Sequence, residues 1–208
     1  MDKPSQNAPF AREEQHHEIL APSLLEFLGN VPAGSHILDV GCGTGFISGL
    51  LIEKGYRVTG IDFSDWCIRR ASEQYPNGNF YQASADDPNL PGRFPEPFDA
   101  VVSVEVIEHL YSPSTFLKNC HQLLKPGGQF ILTTPYHGFL KNLGIVLTGR
   151  FDSHFSPIAE GGHIKFWTER TLRRALDDHG FRVTGFRGCG RVSFFWQSMI
   201  LQAQINVA

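Results

Sequence analysis

Two hydrophobic rhythms alternate along the chain. Short apolar runs at Ile37–Val40, Tyr56–Asp62, Asn79–Asp86, Phe98–Val104 and Gln129–Thr134 read as strands. Segments with one apolar side read as helices between them: Phe46–Lys54 stopped by Gly55, Asp65–Tyr75, and Pro113–Leu124 with Phe116, Leu117, Cys120, Leu123 and Leu124 inward. Ahead of the first strand, Arg12–Leu28 places Ile19, Leu20, Leu24, Leu25, Phe27 and Leu28 on or near one face, and Pro22 predicts a break in two. Met1–Pro9 reads as a loose tail. Lys125-Pro126-Gly127-Gly128 predicts a tight turn into the fifth strand. The alternation fails over Pro135–Trp167, which is long for a connection and holds one short apolar helix, Phe139–Leu147. Thr168 caps a last helix, Glu169–His179, ended by Gly180, and Phe181–Phe186 with Phe194–Gln204 closes the chain as a strand pair.

The chemistry starts where the first strand ends. Asp39-Val40-Gly41-Cys42-Gly43-Thr44-Gly45 runs from strand to helix through alternate glycines. Such a turn brings bare backbone close to a ligand. The dinucleotide fingerprint needs a glycine three residues after the second one, and that position is Phe46. Asp39 would repel a phosphate and suits a cationic or amino-bearing ligand. Asp62 ends the second strand about twenty residues past Gly41, the offset at which such folds place a carboxylate on vicinal ribose hydroxyls. Asp62 or Ser64 also reads as a helix cap, and the two roles are compatible.

These residues resemble the first motif of the class I methyltransferases that use S-adenosylmethionine. Phe98–Leu110 is similar to the fourth motif of that family, in the variant of the ubiquinone-pathway O-methyltransferases, and the Lys-Pro-Gly-Gly turn is a further match. The resemblance covers roughly residues 35–204. It implies an α/β fold: a Rossmann-like, doubly wound, seven-stranded sheet of order 3-2-1-4-5-7-6, last strand antiparallel, with helices on both faces. It implies a single domain over 1–208, with a helical cover at 10–30, a cofactor-binding core at 35–134, a lid for the acceptor at 135–167, and a C-terminal helix and strand pair at 168–204. S-adenosyl-L-methionine is the implied cofactor, held by Asp39, Gly41, Cys42, Gly43, Gly45, Asp62, Phe63, Ala85, Asp86 and Val104, with Asp87 as the alternative to Asp86. His16 and His17 either cover the cofactor or stand exposed on their helix.

The implied reaction is methyl transfer to a hydroxyl or amine of a small-molecule acceptor. A carboxylate or protein side chain is the alternative acceptor, and a non-catalytic S-adenosylmethionine-binding module the alternative protein. No Asn/Asp-Pro-Pro-aromatic loop follows the fourth strand, as amino-methylating DNA and RNA enzymes require. Glu105 and Glu108 stand too close for the paired glutamates of arginine methyltransferases, and Glu108 is expected to face its own helix. Glu105 alone at its strand end argues against a metal, and the spacing of His137, Asp152, His154 and His163 matches no ligand pattern. His163, His137 and, third, His109 are the candidate bases, because an unperturbed imidazole titrates near neutrality; His109 also reads as a structural loop histidine.

A formal net charge of −3 offers no large basic face for nucleic acid. Four unpaired cysteines fit a reducing cytoplasm, and neither a signal peptide nor a membrane-spanning run is read. The 139–147 helix suggests peripheral membrane contact, or burial in the lid or a dimer interface, so monomer and homodimer both stay open.

Overall fold

The computed structural model describes residues 8–155 and 162–205, with side chains from residue 17 onward. Five parallel strands form the core of the sheet: β1 (His36–Val40), β2 (Arg57–Asp62), β3 (Asn79–Gln82), β4 (Phe98–Ser103) and β5 (Leu124–Pro135). β6 (Phe181–Cys189) and β7 (Ser198–Ile205) complete it, β7 lying antiparallel to both β5 and β6, and the order is β3-β2-β1-β4-β5-β7-β6. The apolar runs are continuous because both faces of the sheet are covered. Alternate residues serve opposite layers: Leu38, Val40, Ile61, Val101 and Phe130 pack with helices α4 (Pro113–Leu123) and α7 (Glu169–Asp177). Ile37, Val58, Ala100, Val102 and Ile131 pack with α1 (Ala8–Phe27) and α2 (Phe46–Glu53).

Several boundaries differ from the sequence reading. Pro22 sits inside α1 without dividing it. Burial of Leu20, Leu24 and Leu28 on the sheet holds the helix through the missing hydrogen bond. β3 ends at Gln82, where its partner β2 ends at Asp62, so the exit from the strand takes up the rest of the run to Asp86. Lys125–Gly128 is a bulge within β5 rather than a turn before it: pairing with β4 jumps from Phe98↔Leu124 to Ala100↔Gln129, with Gly127 at φ 75°. β6 runs on to Cys189, its last residues held by backbone pairing to β7 rather than by apolar pattern. β7 starts at Ser198, not Phe194, because Arg191 and Phe194 take left-handed φ of 56° and 64°. Helix α3 (Asp65–Gln74) is capped by Ser64, whose side chain accepts from the Cys67 amide, and Thr168 caps α7 in a reciprocal pair with Thr171.

The connection after β5 folds as α5 (Phe139–Leu147) and a short α6 (Phe151–His154). It starts at the C-terminal end of β5, the end of the sheet at which the order reverses between β1 and β4. A crevice opens at this point in doubly wound sheets. No helix among the described residues is long and apolar enough to cross a membrane.

Candidate active site

The glycine turn builds one wall of the crevice. Gly41, Gly43 and Gly45 all take positive φ, of 77°, 52° and 90°. A methyl group on Gly41 would collide with Val106, and one on Gly45 would lie 2.8 Å from the Tyr75 ring, whereas at Gly43 nothing lies within 4 Å. Gly41 and Gly45 are therefore bare for packing, and Gly43 is bare on an open side, where a ligand can lie against backbone. Asp62 fastens this turn: Gly43 N donates to its Oδ2 (3.1 Å) and Ser64 N to its Oδ1 (2.8 Å). Each carboxylate oxygen has a second lone pair, so vicinal hydroxyls can still be accepted. Burial raises the Asp62 pKa above the usual carboxylate value despite these amides.

Asp39 lies beneath the turn, fully buried, with Ser48 Oγ donating to its Oδ2 at 2.6 Å. Burial pushes its pKa up to about 7; the Ser48 bond only partly opposes this, and the charge of Asp62 adds to it. A carboxyl so short of positive charge suits a cationic or amino-bearing ligand and would repel a phosphate. Cys42 and Val104 are placed differently from these. The Cys42 side chain is buried against Gly60, its N–H is spent on Ile61 O and its carbonyl on Gly45 N. Val104 is packed in the core on the α1–α2 side. Each adjoins the crevice through backbone alone. The Phe63 ring, 77% exposed, stands beside Asp62. Ala85 and Asp87 offer carbonyls that Asn119 Nδ2 of α4 pins at 2.9 and 2.8 Å, and Asp86 accepts from Ser84 Oγ at 2.7 Å. His17 lies 6.2 Å from Phe46, at the start of α2; the His16 side chain is outside the described residues.

The opposite wall is the segment after β4. Glu105 takes φ 55°, a strained conformation for a residue with a side chain. Its carboxylate is held by Thr133 Oγ1 (2.8 Å) and Ser198 Oγ (3.1 Å), and its amide donates to Thr133 Oγ1 (3.0 Å). Glu108 does not face a helix of its own, since Ile107–His109 is a single 3-10 turn. Its carboxyl is fully buried, accepts from Thr134 Oγ1 at 2.9 Å through Oε2, and leaves Oε1 without a partner. Burial, then the neighbouring charge of Glu105, holds the Glu108 pKa well above the carboxylate range.

The 135–167 connection is tied to this turn, because Glu108 O accepts from both Ile164 N (2.9 Å) and Lys165 N (3.0 Å). The tie brings His163 to His109, with ring centroids 4.9 Å apart. Glu108, His109 and His163 each offer one ligand atom, all within 4.8 Å of one another, a grouping able to close on a cation. Linear spacing did not reveal it, since it depends on the fold of the lid. His137 goes elsewhere: it packs against Phe166 (5.1 Å), Phe155 and His154 (5.6 Å each). It is buried, neither ring nitrogen has a partner, and burial followed by the charge of Lys141 lowers its pKa to about 4. Trp167 Nε1 is likewise buried and unpartnered.

Glu105, Glu108 and Lys141 were not among the expected site residues. For Lys141 a signal existed, as the lone cation of the apolar Phe139–Leu147 segment.

A family profile described as a methyltransferase domain matches residues 11–185. The chain is 29% identical over 159 residues to a ubiquinone biosynthesis O-methyltransferase of Coxiella burnetii, covering 74% of this chain and 67% of that one. A protein of the same name from Pseudomonas syringae pv. tomato is 39% identical over 106 residues, 49% of this chain and 45% of that one. Among solved structures, the magnesium protoporphyrin IX methyltransferase of Synechocystis with bound S-adenosylhomocysteine superposes with a TM-score of 0.71 at 22% identity, covering 99% of this chain and 90% of that one. A chain from the complex between the Haloferax volcanii Trm112 methyltransferase activator and a methyltransferase gives a TM-score of 0.72 at 17% identity, covering 98% and 97%. At such identities the structures establish the fold.

Proposed function

The chain belongs to the class I S-adenosylmethionine-dependent methyltransferases, and from that premise we propose that it methylates a hydroxyl group of a small-molecule acceptor. The observation that carries this reading is the convergence of Glu108, His109 and His163, whose polar atoms all lie within 4.8 Å of one another. The O-methyltransferase names of the relatives support it. Bound S-adenosylmethionine supplies a methyl group already activated by positive charge. The protein's share is to align the acceptor oxygen with it, exclude water and take the hydroxyl proton. Alignment alone is worth about 7 kcal/mol or more when geometry is good.

His163 is the proposed base, with His109 beside it. A base works best when its pKa lies near the working pH. His137, held near 4, takes up a proton poorly and stays neutral, so it is suited to orient the acceptor. His163→Ala is expected to lower turnover of S-adenosylmethionine with an accepted phenol or quinol by about 10²–10⁴-fold, with donor affinity in calorimetry unchanged. Full activity in that variant would clear His163 of the role. Heat on donor binding, with no methylation of pooled phenols, quinols, sugars or amines, would favour a carboxylate or protein acceptor, or a non-catalytic module.

The mouth of the lid bears the exposed apolar residues Phe139, Val146, Leu147 and Phe151. We read this surface as the peripheral membrane contact through which an apolar acceptor is reached. The four free, buried cysteines are in keeping with a reducing compartment.

A further inference from the structure

Lys141 is a buried cation that no anion among the described residues meets. It projects from α5, is 8% exposed, and its Nζ donates to the Gln197 carbonyl at 3.3 Å. An ammonium carries three donors, so one carbonyl does not satisfy it. Among the described residues no carboxylate stands within ion-pair distance of it. Glu105 is the nearest acid to act on it, but the Glu105 carboxylate is engaged by Thr133 and Ser198. An unpaired charge taken out of water is costly, and the cost is recovered when a ligand brings the opposite charge. Gln197 precedes Ser198 at the start of β7, which pairs with Pro135 at the end of β5, so Nζ sits on the crevice side of the sheet. The neighbouring His137 adds two unpartnered ring nitrogens, one a donor and one an acceptor when neutral, and Phe155 and Phe166 flank it with aromatic surface.

We propose that Lys141 is a specificity-determining residue of the acceptor pocket, pairing with an anionic oxygen on an aromatic acceptor whose hydroxyl hydrogen-bonds to His137. The proposal rests on the acceptor pocket lying under the lid. It names the acceptor class as hydroxylated aromatic acids, the anionic oxygen being a carboxylate. Burial lowers the Lys141 pKa to about 8, with Arg191 pushing the same way and Glu105 opposing. The titratable and charged groups facing it are thus Glu105, Arg191, His137 and His154. The ammonium is charged below pH 8 and lost above it, so preference for an anion fades as pH rises through that value.

The test is calorimetric and needs no turnover. The protein saturated with S-adenosylhomocysteine is titrated with 3,4-dihydroxybenzoate, with its methyl ester, and with catechol. The acid is expected to bind at least tenfold more tightly than the ester at pH 7, and the advantage to shrink at pH 9. Lys141→Met should erase the advantage and Lys141→Arg keep it at both pH values. Equal binding of acid and ester by the wild type, or an advantage that survives in a folded Lys141→Met protein, overturns the proposal. Tight, Lys141-dependent binding of the acid, with no methylation of it once S-adenosylmethionine replaces S-adenosylhomocysteine, would leave the proposal standing and remove the hydroxyl-methylation reading.

Discussion

Asp39 is a single buried acid whose titration makes stability depend on pH. With its pKa raised from the ordinary 3.8 to about 7, the native protein holds a proton between those values that the unfolded chain has released. Stability from this group is therefore greatest at low pH and falls as pH rises from about 4 to about 7. A cation seated above the turn reverses the balance, because it favours the charged carboxylate. Affinity for S-adenosylmethionine is expected to climb as pH goes from 6 to 8, by up to about tenfold per unit below the pKa. Asp39→Asn should flatten that slope; calorimetry across the range, with the variant alongside, measures it. Asp62 answers to a different experiment. Its two oxygens already hold Gly43 N and Ser64 N, so Asp62→Ala should loosen the turn and weaken cofactor binding by about 1.5–3 kcal/mol, the range for hydrogen bonds to charged groups. Unchanged affinity would remove Asp62 from the site.

The glycine turn as an element divides into packing and binding positions. Gly41→Ala drives a methyl into Val106, and Gly45→Ala drives one into Tyr75 and Ala71. Each should cost about 1–3 kcal/mol in urea unfolding, as overpacking does. Gly43→Ala meets only open space and left-handed strain, so it should cost about 1–2 kcal/mol of stability while its methyl occupies the ligand's side and lowers donor affinity. A Gly43→Ala protein with normal affinity would mean the ligand does not lie against this backbone. Elements with a regular period were legible in the sequence: β1, α2, α5 and the caps at Ser64 and Thr168 stand where the pattern put them. Pro22 was misread because local chemistry says break while burial of Leu20 and Leu24 says continue. The far end of β6 was missed because Arg187 and Gly188 are held by pairing with β7, which no local pattern encodes. The same reason hid part of the site. Asp39, Asp62 and the glycines lie within strand ends that sequence spacing locates. Glu108 and His163 meet only because Glu108 O anchors Ile164 and Lys165, a contact between distant segments.

On the scale of the whole molecule, the connection that carries Lys141 and His163 also carries a group of exposed apolar residues. Phe139 is 77% exposed and Leu147 75%, both on α5, while Lys141 of the same helix turns inward. Phe151 on α6 and Val192, Phe194 and Phe195 in the loop before β7 are exposed too, and Gly144 of α5 faces Phe195 closely enough to join the two patches. Arg150 and Arg191 are exposed within the same segments. Apolar side chains with cations beside them match the boundary between acyl chains and anionic headgroups. An acceptor too apolar to dissolve could then pass from bilayer to crevice under the lid. Each large apolar side chain that enters the bilayer is worth about 1.5–3 kcal/mol. Phe139→Ser with Leu147→Ser should therefore lower sedimentation with phosphatidylglycerol vesicles by well over tenfold. Thermal stability and S-adenosylmethionine affinity should stay unchanged, since neither side chain belongs to the core or the glycine turn. Turnover of a water-soluble phenol should be kept, and turnover of a vesicle-borne one lost. Wild-type protein that ignores the vesicles but elutes as a dimer, and as a monomer once Phe139 and Leu147 are replaced, would assign this surface to a second copy of the chain instead.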